Sequence, residues 1–345
     1  MAHWGIIGTG RITGKFVTAL AASASERVVA IASRDADRAA AAAQALGIPT
    51  SYGSYAALLA DPEVQAVYIA LPPSMHAEWS IAALAAGKHV LCEKPLATSY
   101  TEAVAMFETA RQHRRWLMEG FMYRFHPQTR TVERLISEGA IGAVRLVRVA
   151  FGISIADPGN IRLSADLGGG ALGDVGCYCV SMARLAAGAA PTRVSATARY
   201  SASGVDELLV GTLEYTSGTV AQISCGLGLS RHQRTQIVGD AGSIELDESF
   251  SIAPDQELSI RLLRGGARPT EERIPIPAAD HFRLEAEGFS ALIAAGPEAH
   301  GLPAMPPAES LDTIATMDAL RRSAREGRPV ELGFPPARAG QPGER

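Results

Sequence analysis

The chain has 345 residues, long enough that one hydrophobic core would normally stop growing, so two domains are the default expectation. Hydrophobic residues make up 47% of it and charged residues 20%, the balance of an ordinary globular chain. Its 32 Lys plus Arg against 36 Asp plus Glu leave a net charge of −4, which argues against a general nucleic-acid or anionic-membrane partner, since both favour a basic surface.

In the first third, short apolar runs at 3–7, 27–32, 66–71, 88–92 and 116–120 read as strands. Alanine-rich amphipathic stretches at 12–23, 36–46, 55–60, 74–86 and 100–112 read as the helices between them. Gly47 and Gly87 stand where helix ends want a left-handed residue, and Ser99 with Glu102 has capping-box spacing. This alternation predicts an α/β Rossmann domain, a doubly wound parallel sheet, over residues 1–120. After Gly120 the pattern changes. Helices are predicted at 127–138, 172–187, 281–295 and 308–326, and strands at 143–151, 193–200, 207–215, 219–225, 235–238, 243–246 and 258–263. Strands that follow one another without helices imply antiparallel pairing. Residues 121–333 are therefore expected to form an α+β domain on a large, mostly antiparallel open sheet, with 334–345 a flexible tail. No internal repeat is visible.

Cys92, Cys177, Cys179 and Cys225 form no C-x-x-C pair and no zinc-type cluster, so buried thiols in a reducing compartment are expected, with no metal. No basic and apolar leader precedes the first strand, and no apolar run nears the roughly 20 residues that span a bilayer. The expected location is the cytoplasm, with no membrane partner.

Gly8-Thr9-Gly10-Arg11-Ile12-Thr13 follows the first strand and opens the first helix. Gly8 permits the tight turn. The bare backbone of Gly10 lets a pyrophosphate approach the unpaired N–H groups and the positive end of the helix dipole. Thr13 replaces the third glycine of the fingerprint, and Gly14 comes one place late. The strand–turn–helix context reads as a dinucleotide site with Gly8, Thr9, Gly10, Arg11 and Ile12 as contacts.

Strand two ends Ala32-Ser33-Arg34-Asp35. An acid here would hold the ribose hydroxyls of NAD, whereas a small hydroxyl followed by a guanidinium suits a 2′-phosphate, with Arg38 as a second cation. NADP is therefore favoured, NAD staying open through Asp35. The segment Leu71-Pro72-Pro73-Ser74-Met75-His76 should face the nicotinamide ribose, with Leu71, Pro72 and His76 as contacts, a structural role for His76 being the alternative. The following strand ends Glu93-Lys94-Pro95, placing a lysine at the carboxyl edge of the parallel sheet, where a buried Lys rarely sits without a partner.

Four motifs in order carry a family resemblance: the Rossmann start, Glu93-Lys94-Pro95, the stretch Glu119-Gly120-Phe121-Met122-Tyr123-Arg124-Phe125-His126-Pro127, and Gly168-Gly169-Gly170-Ala171-Leu172-Gly173-Asp174-Val175-Gly176-Cys177-Tyr178. Over nearly its whole length the chain resembles the Gfo/Idh/MocA oxidoreductases, the family of glucose–fructose oxidoreductase and inositol dehydrogenase. Within it, the chain is most similar to the branch of NADP-dependent D-xylose and dihydrodiol dehydrogenases. The resemblance implies that Lys94 is the essential lysine and that Asp174 and Tyr178 are the catalytic pair. Their spacing of four places both on one face of a helix, and the glycines at 168 to 170 let that helix begin close against the crevice. The sequence departs from the family at Thr13 and at Pro73, where many members carry Asn.

The expected chemistry is hydride transfer between a nicotinamide and a secondary alcohol or carbonyl of a sugar or polyol. Tyr178 is the expected acid/base. A free phenol titrates near pH ~10, and the Lys94 ammonium is expected to favour the phenolate while Asp174 holds a neighbouring hydroxyl. Arg124, His126, Asn160, Arg162 and His281 are candidates for the polar wall around the substrate. A dihydrodiol or other non-sugar carbonyl dehydrogenase stays open, favoured by an aromatic pocket drawn from Phe121, Phe125, Phe151 and Phe282. A non-catalytic NAD(P)-binding regulator also stays open, although the presence of Lys94, Asp174 and Tyr178 together argues against it. A homodimer or homotetramer through the open sheet is implied by the family.

Overall fold

Strands β1 (Ala2–Ile7), β2 (Glu26–Ala32), β3 (Thr50–Tyr52), β4 (Ala66–Ile69), β5 (His89–Glu93) and β6 (Leu117–Gly120) pair in parallel in the order β3-β2-β1-β4-β5-β6. The computed structural model describes residues 2–265, 268–296 and 305–333, so the tail expected at 334–345 lies outside the described residues. All four residues of β4 are buried, as are Trp4, Ile6 and Ile7 of β1, the near-continuous apolar pattern of a sheet covered on both faces. Helices α1 (Arg11–Ala21), α2 (Ala36–Leu46), α3 (Tyr55–Leu59), α4 (His76–Ala85) and α5 (Tyr100–His113) connect them. The strand order is the doubly wound one, whose ligand crevice lies at the carboxyl ends of the strands, between the paired β1 and β4 where the order reverses. Gly47 ends α2 in the left-handed region at φ 66°. Ser99 caps α5, but the Glu102 carboxylate turns to the amide and hydroxyl of Thr98 instead of back to Ser99. The three residues of β3 show no period of their own and are held by pairing with Ala30–Ala32.

The second sheet contains β7 (Val144–Ile153), β8 (Arg193–Tyr200), β9 (Asp206–Glu214), β10 (Val220–Leu227), β11 (His232–Gly239), β12 (Gly242–Leu246), β13 (Leu258–Arg264), β14 (Thr270–Ile276) and β15 (Val330–Glu331). Their order is β14-β13-β12-β11-β7-β10-β9-β8-β15, antiparallel throughout except for β7 beside β10. Sequence periodicity missed β14, a charged edge strand with Pro275 in it, and the two-residue β15. The remaining helices are α6 (Pro127–Ser137), α7 (Cys177–Ala187), α8 (His281–Ala295) and α9 (Pro307–Glu326). Along β7 the residues Val147, Val149 and Phe151 are buried while Arg145 and Arg148 are exposed. One face is covered by α7, on β7 and β10, and by α9, on β8; Arg148 bonds Gln222 and Gln236 on the other.

Two features differ from the sequence expectation. Helix α8 packs on the first sheet rather than the second. Phe289 meets Trp4 at 5.8 Å between ring centroids, and Ser290 Oγ and Trp4 Nε1 both donate to Glu26 Oε2 at 2.6 Å. A cut at residue 120 thus separates the strands but not the packing. The stretch 172–187 is also not one regular helix. Leu172–Gly176 forms a π turn, and α7 begins only at Cys177. All four cysteines are free and buried. No helix among the described residues is long and apolar enough to cross a membrane.

Candidate active site

The carboxyl ends of β1, β2, β4 and β5 open onto a cleft of about 860 Å³. Gly8, Thr9, Gly10, Arg11, Ile12, Ser33, Arg34, Arg38, Leu71, Pro72, Glu93 and Lys94 line it together, and Asn160, Arg162 and Asp174 face them from the second half of the chain. The glycine loop is built for close approach. Gly8 has φ 110°, and a Cβ there would meet the Ala70 carbonyl oxygen at 2.5 Å. A Cβ on Gly10 would meet only that oxygen, at 3.8 Å, so the protein itself leaves room for a ligand at this position. Among the described residues no side chain caps α1, which leaves its N-terminus open to an anion. Thr13 explains its place in the fingerprint: it is buried, and its hydroxyl donates to the Gly8 carbonyl at 3.0 Å, closing the loop that a glycine would leave open.

At the end of β2, Ser33 is buried and its Oγ accepts from the Asp35 amide, while Arg34 and Arg38 are exposed toward the cleft. Asp35 serves as the N-cap of α2, its Oδ1 accepting from the Arg38 amide at 3.0 Å. Moving that carboxylate onto a ribose would cost the cap, about 0.5–2 kcal/mol. The two guanidiniums also act on the Tyr55 phenol; burial pushes its pKa up and they oppose that push.

Lys94 is the hub of the far side. Its Nζ donates to the Asp174 carbonyl at 2.8 Å and to Asp174 Oδ1 at 3.1 Å, and lies 5.1 Å from the centre of the Tyr178 ring. Arg162 Nε donates to the other oxygen of Asp174 at 2.6 Å. Burial alone would raise the Asp174 pKa, yet Lys94 and Arg162 outweigh it and hold the carboxyl below its ordinary value. Burial likewise works against the Lys94 charge, and Asp174 overcomes it, so the ammonium persists. The segment carrying Arg162 rests on Gly169, where a Cβ would meet the Arg162 carbonyl oxygen at 2.4 Å; no larger residue fits.

Tyr178 does not line this cleft. It is 5% exposed, ringed by Phe121, Phe151 and Phe250 at 5.2–5.5 Å and by Tyr123 at 5.8 Å, and its hydroxyl donates to Met122 Sδ at 3.3 Å. A π turn lies between positions 174 and 178, and both the Asp174 carboxylate and the Tyr178 ring still adjoin Lys94 Nζ. The electrostatics also correct an expectation. Burial, followed by the charges of Glu93, Cys177, Asp174 and Glu285, pushes the Tyr178 pKa well above that of a free phenol. Lys94 gives its hydrogen bonds to Asp174, and its charge is not among the main causes acting on the phenol.

Four further expected contacts are corrected. His76 is fully buried, its two ring nitrogens each 2.8 Å from a backbone oxygen, those of Pro95 and Leu71, so it ties two cleft walls together instead of meeting a coenzyme. Arg124 is buried against Glu309 at 2.8 Å and Glu133 at 3.4 Å. His126 caps α6, accepting from the Gln128 amide, and burial holds its pKa down to about 4. His281 is 3% exposed, its ring near those of His126 and Phe282, and its pKa is pushed down to about 3, chiefly by burial. Sequence reasoning missed Lys15, Tyr55 and Asp157, which also line the cleft. Lys15 stands four residues after Arg11 on α1, a spacing that could have revealed it.

Comparison with known proteins decides the family. Residues 2–121 match the GFO_IDH_MocA oxidoreductase family with its NAD-binding Rossmann fold, and residues 129–245 match the C-terminal domain of the same family. The chain belongs to the Gfo/Idh/MocA oxidoreductases. It is 40% identical over 331 residues to D-xylose 1-dehydrogenase (NADP(+)) 2 from Haloferax volcanii, covering 95% of this chain and 99% of that one. It is 37% identical over 254 residues to trans-1,2-dihydrobenzene-1,2-diol dehydrogenase from Xenopus laevis, covering 73% and 76%. A crystal structure of a 3-ketoreductase from Actinomadura kijaniata, in complex with NADP and TDP-benzene, superposes with a TM-score of 0.85 at 32% identity over 93% of this chain and 97% of that one. As a Gfo/Idh/MocA member the chain is an NAD(P)-dependent oxidoreductase with an NAD-binding Rossmann fold.

Proposed function

We propose that this Gfo/Idh/MocA protein interconverts a secondary alcohol and a carbonyl on a sugar or polyol, with NADP as coenzyme. The observation that carries the reading is Lys94 at the edge of β5, between the Asp174 carboxylate and the face of Tyr178. Gly8, Thr9, Gly10, Arg11 and Ile12 would hold the pyrophosphate, Ser33, Arg34 and Arg38 the 2′-phosphate, and Leu71, Pro72 and Glu93 the far ribose. Coenzyme bound there supplies or takes the hydride. The chain's own residues handle the proton. Tyr178, protonated, gives its hydroxyl proton to the substrate oxygen in reduction and takes it back in oxidation. Lys94 polarises that oxygen. Asp174, Asn160 and Arg162 hold the neighbouring hydroxyls, a polar wall that suits a polyhydroxylated substrate.

The aromatic ring around Tyr178 supports a second reading, oxidation of a dihydrodiol or reduction of a non-sugar carbonyl. A panel of aldoses, inositols and aromatic dihydrodiols, assayed by absorbance with NADP and NAD separately, tests both. Turnover confined to the aromatic diols would replace the first reading with the second. NADP binding without any turnover would instead make the protein a regulator. We further propose a homodimer or homotetramer through the open face of the second sheet, where Val210 is 51% exposed beside Arg148, Gln222 and Gln236. Light scattering that gives a monomer mass would overturn it.

A further inference from the structure

In the parallel pair of β5 and β6, Cys92 stands beside Glu119, and Glu93 beside Gly120 is the last rung. The chain then turns through Lys94-Pro95-Leu96, beyond the strand ladder. Pro95 has no N–H to give. The two remaining amides of the turn go to buried carboxyl groups: Lys94 N–H donates to Glu93 Oε2 at 3.2 Å, and Leu96 N–H donates to Glu119 Oε1 at 2.9 Å. Glu93 is the lysine's own neighbour, so of these two contacts only that of Glu119 ties the turn to another strand. Glu119 has no exposure, and its second oxygen, Oε2, has no partner among the described residues. An unpaired buried polar atom costs about 1–3 kcal/mol, so filling this space alone would favour an apolar residue. Burial pushes the carboxyl pKa up to about 7. With the proton on Oε2, Oε1 accepts from Leu96 in the neutral form as it does in the charged one.

We propose that Glu119 is a positioning residue for Lys94, holding the Leu96 amide so that the ammonium stands at a fixed place beside the substrate oxygen. This rests on the proposed role of Lys94. A lysine side chain is a flexible four-carbon stem. Asp174 restrains its tip, through the contacts at 2.8 and 3.1 Å, but the root is fixed only if the turn after β5 is fixed. A shift of about 1 Å at a reacting group costs up to about 10²-fold in rate. Glu119 does not line the coenzyme cleft, so its effect on turnover passes through the lysine. What matters in it is an acceptor oxygen at the right reach, not its charge.

The test uses the whole chain with NADPH and the best carbonyl of the substrate panel at neutral pH. It compares wild type, Glu119→Gln, Glu119→Asp, Lys94→Ala and the double variant Lys94→Ala with Glu119→Asp. Glutamine keeps an oxygen at the same reach without the charge. Aspartate keeps the carboxyl group but falls one methylene short of Leu96. Glu119→Asp should lose roughly 10- to 100-fold in kcat while its NADPH Kd stays within about twofold of wild type. Glu119→Gln should retain kcat within about threefold. Added to Lys94→Ala, Glu119→Asp should lower the residual turnover by less than about twofold, because both changes act through one group. Undiminished kcat in Glu119→Asp would overturn the proposal. So would a loss in Glu119→Gln as large as that expected for aspartate, whether or not Glu119→Asp folds. A full further loss in the Lys94→Ala background would make the role of Glu119 structural and overturn it too. If Lys94→Ala is slow and Glu119→Asp runs at full speed, only the positioning falls. If Lys94→Ala runs normally, the role of the lysine falls and the positioning with it.

Discussion

Arg34 gives the sharpest test of coenzyme choice. It is exposed at the end of β2, beside a serine whose hydroxyl is buried and an aspartate already committed to capping α2. A charge-assisted contact to a 2′-phosphate contributes about 1.5–3 kcal/mol. The exposure of Arg34 places it at the low end of that range. At about 1.4 kcal/mol per factor of ten, Arg34→Ala should raise the NADPH Kd about tenfold and leave that of NADH within about twofold. Arg38→Ala should add a smaller loss of the same selectivity. Because both contacts are screened charges, the difference between wild type and variant should shrink as salt is raised. Calorimetric titration of each coenzyme at fixed ionic strength measures all of this, and a melting curve should show no change, since neither side chain is buried. Equal losses for NADPH and NADH would refute the argument, as would no loss for either.

The glycine loop gives a paired prediction. Gly10→Val should fold normally and lose coenzyme affinity, whereas Gly8→Val should destabilise the chain outright, because its Cβ meets backbone at 2.5 Å and its φ is 110°; thermal melts and NADPH titration together read this. Tyr178→Phe should keep coenzyme binding and lose roughly 10²–10⁴ in kcat, and adding Lys94→Ala should cost little more, since the two act as a unit. In carbonyl reduction, the wild-type rate should show no phenol titration below pH ~10, because the folded protein holds Tyr178 protonated. Glu119 on β6 is buried and pushed up to about 7 from 4.5, so the native chain binds more protons than the unfolded one across that window. Stability from this group is therefore present at low pH and lost as pH rises toward 7, by about 3 kcal/mol in all. Relative to wild type, Glu119→Gln should gain melting temperature between about pH 5 and about pH 8, and a constant difference would show that Glu119 titrates normally.

Sequence reading succeeds here where a local signal is sufficient. Helices α2 and α8 and strand β8 fall on the predicted residues, because caps and uninterrupted periods mark their ends. The glycine loop, Arg34 and Lys94 are legible because each sits at a fixed offset from a strand end, and a parallel sheet brings all strand ends to one crevice. His76, Arg124, His126 and His281 are only candidate contacts in the sequence, because polar residues near such an edge look available. What engages or buries them is tertiary: two backbone oxygens for His76, two glutamates for Arg124, a helix N-terminus for His126 and burial on α8 for His281. No spacing in the chain announces those partners. The same holds for Tyr178. Its sequence offset from Asp174 has α-helical spacing, which announces neither the π turn between them nor the aromatic enclosure that takes Tyr178 out of the cleft lining.

The charges around Lys94 bear on which direction the chemistry starts from. One ammonium faces an aspartate at 3.1 Å and an aromatic face at 5.1 Å. Ion pairing with a carboxylate is the stronger demand, and Arg162 reinforces it from the other oxygen. What remains for Tyr178 is an aromatic enclosure that raises its pKa, with a thioether, a weak acceptor, as the hydroxyl's one partner among the described residues. A substrate oxygen is a better acceptor than that sulfur, so substrate binding gains by taking over the bond. A carbonyl arriving there meets a proton donor already in the required state. An alcohol meets a group that must first lose its proton, against burial and against the charges of Glu93, Asp174 and Glu285. On the proposed assignment, then, carbonyl reduction begins from the protonation state the fold itself maintains, and alcohol oxidation begins from one that the fold opposes.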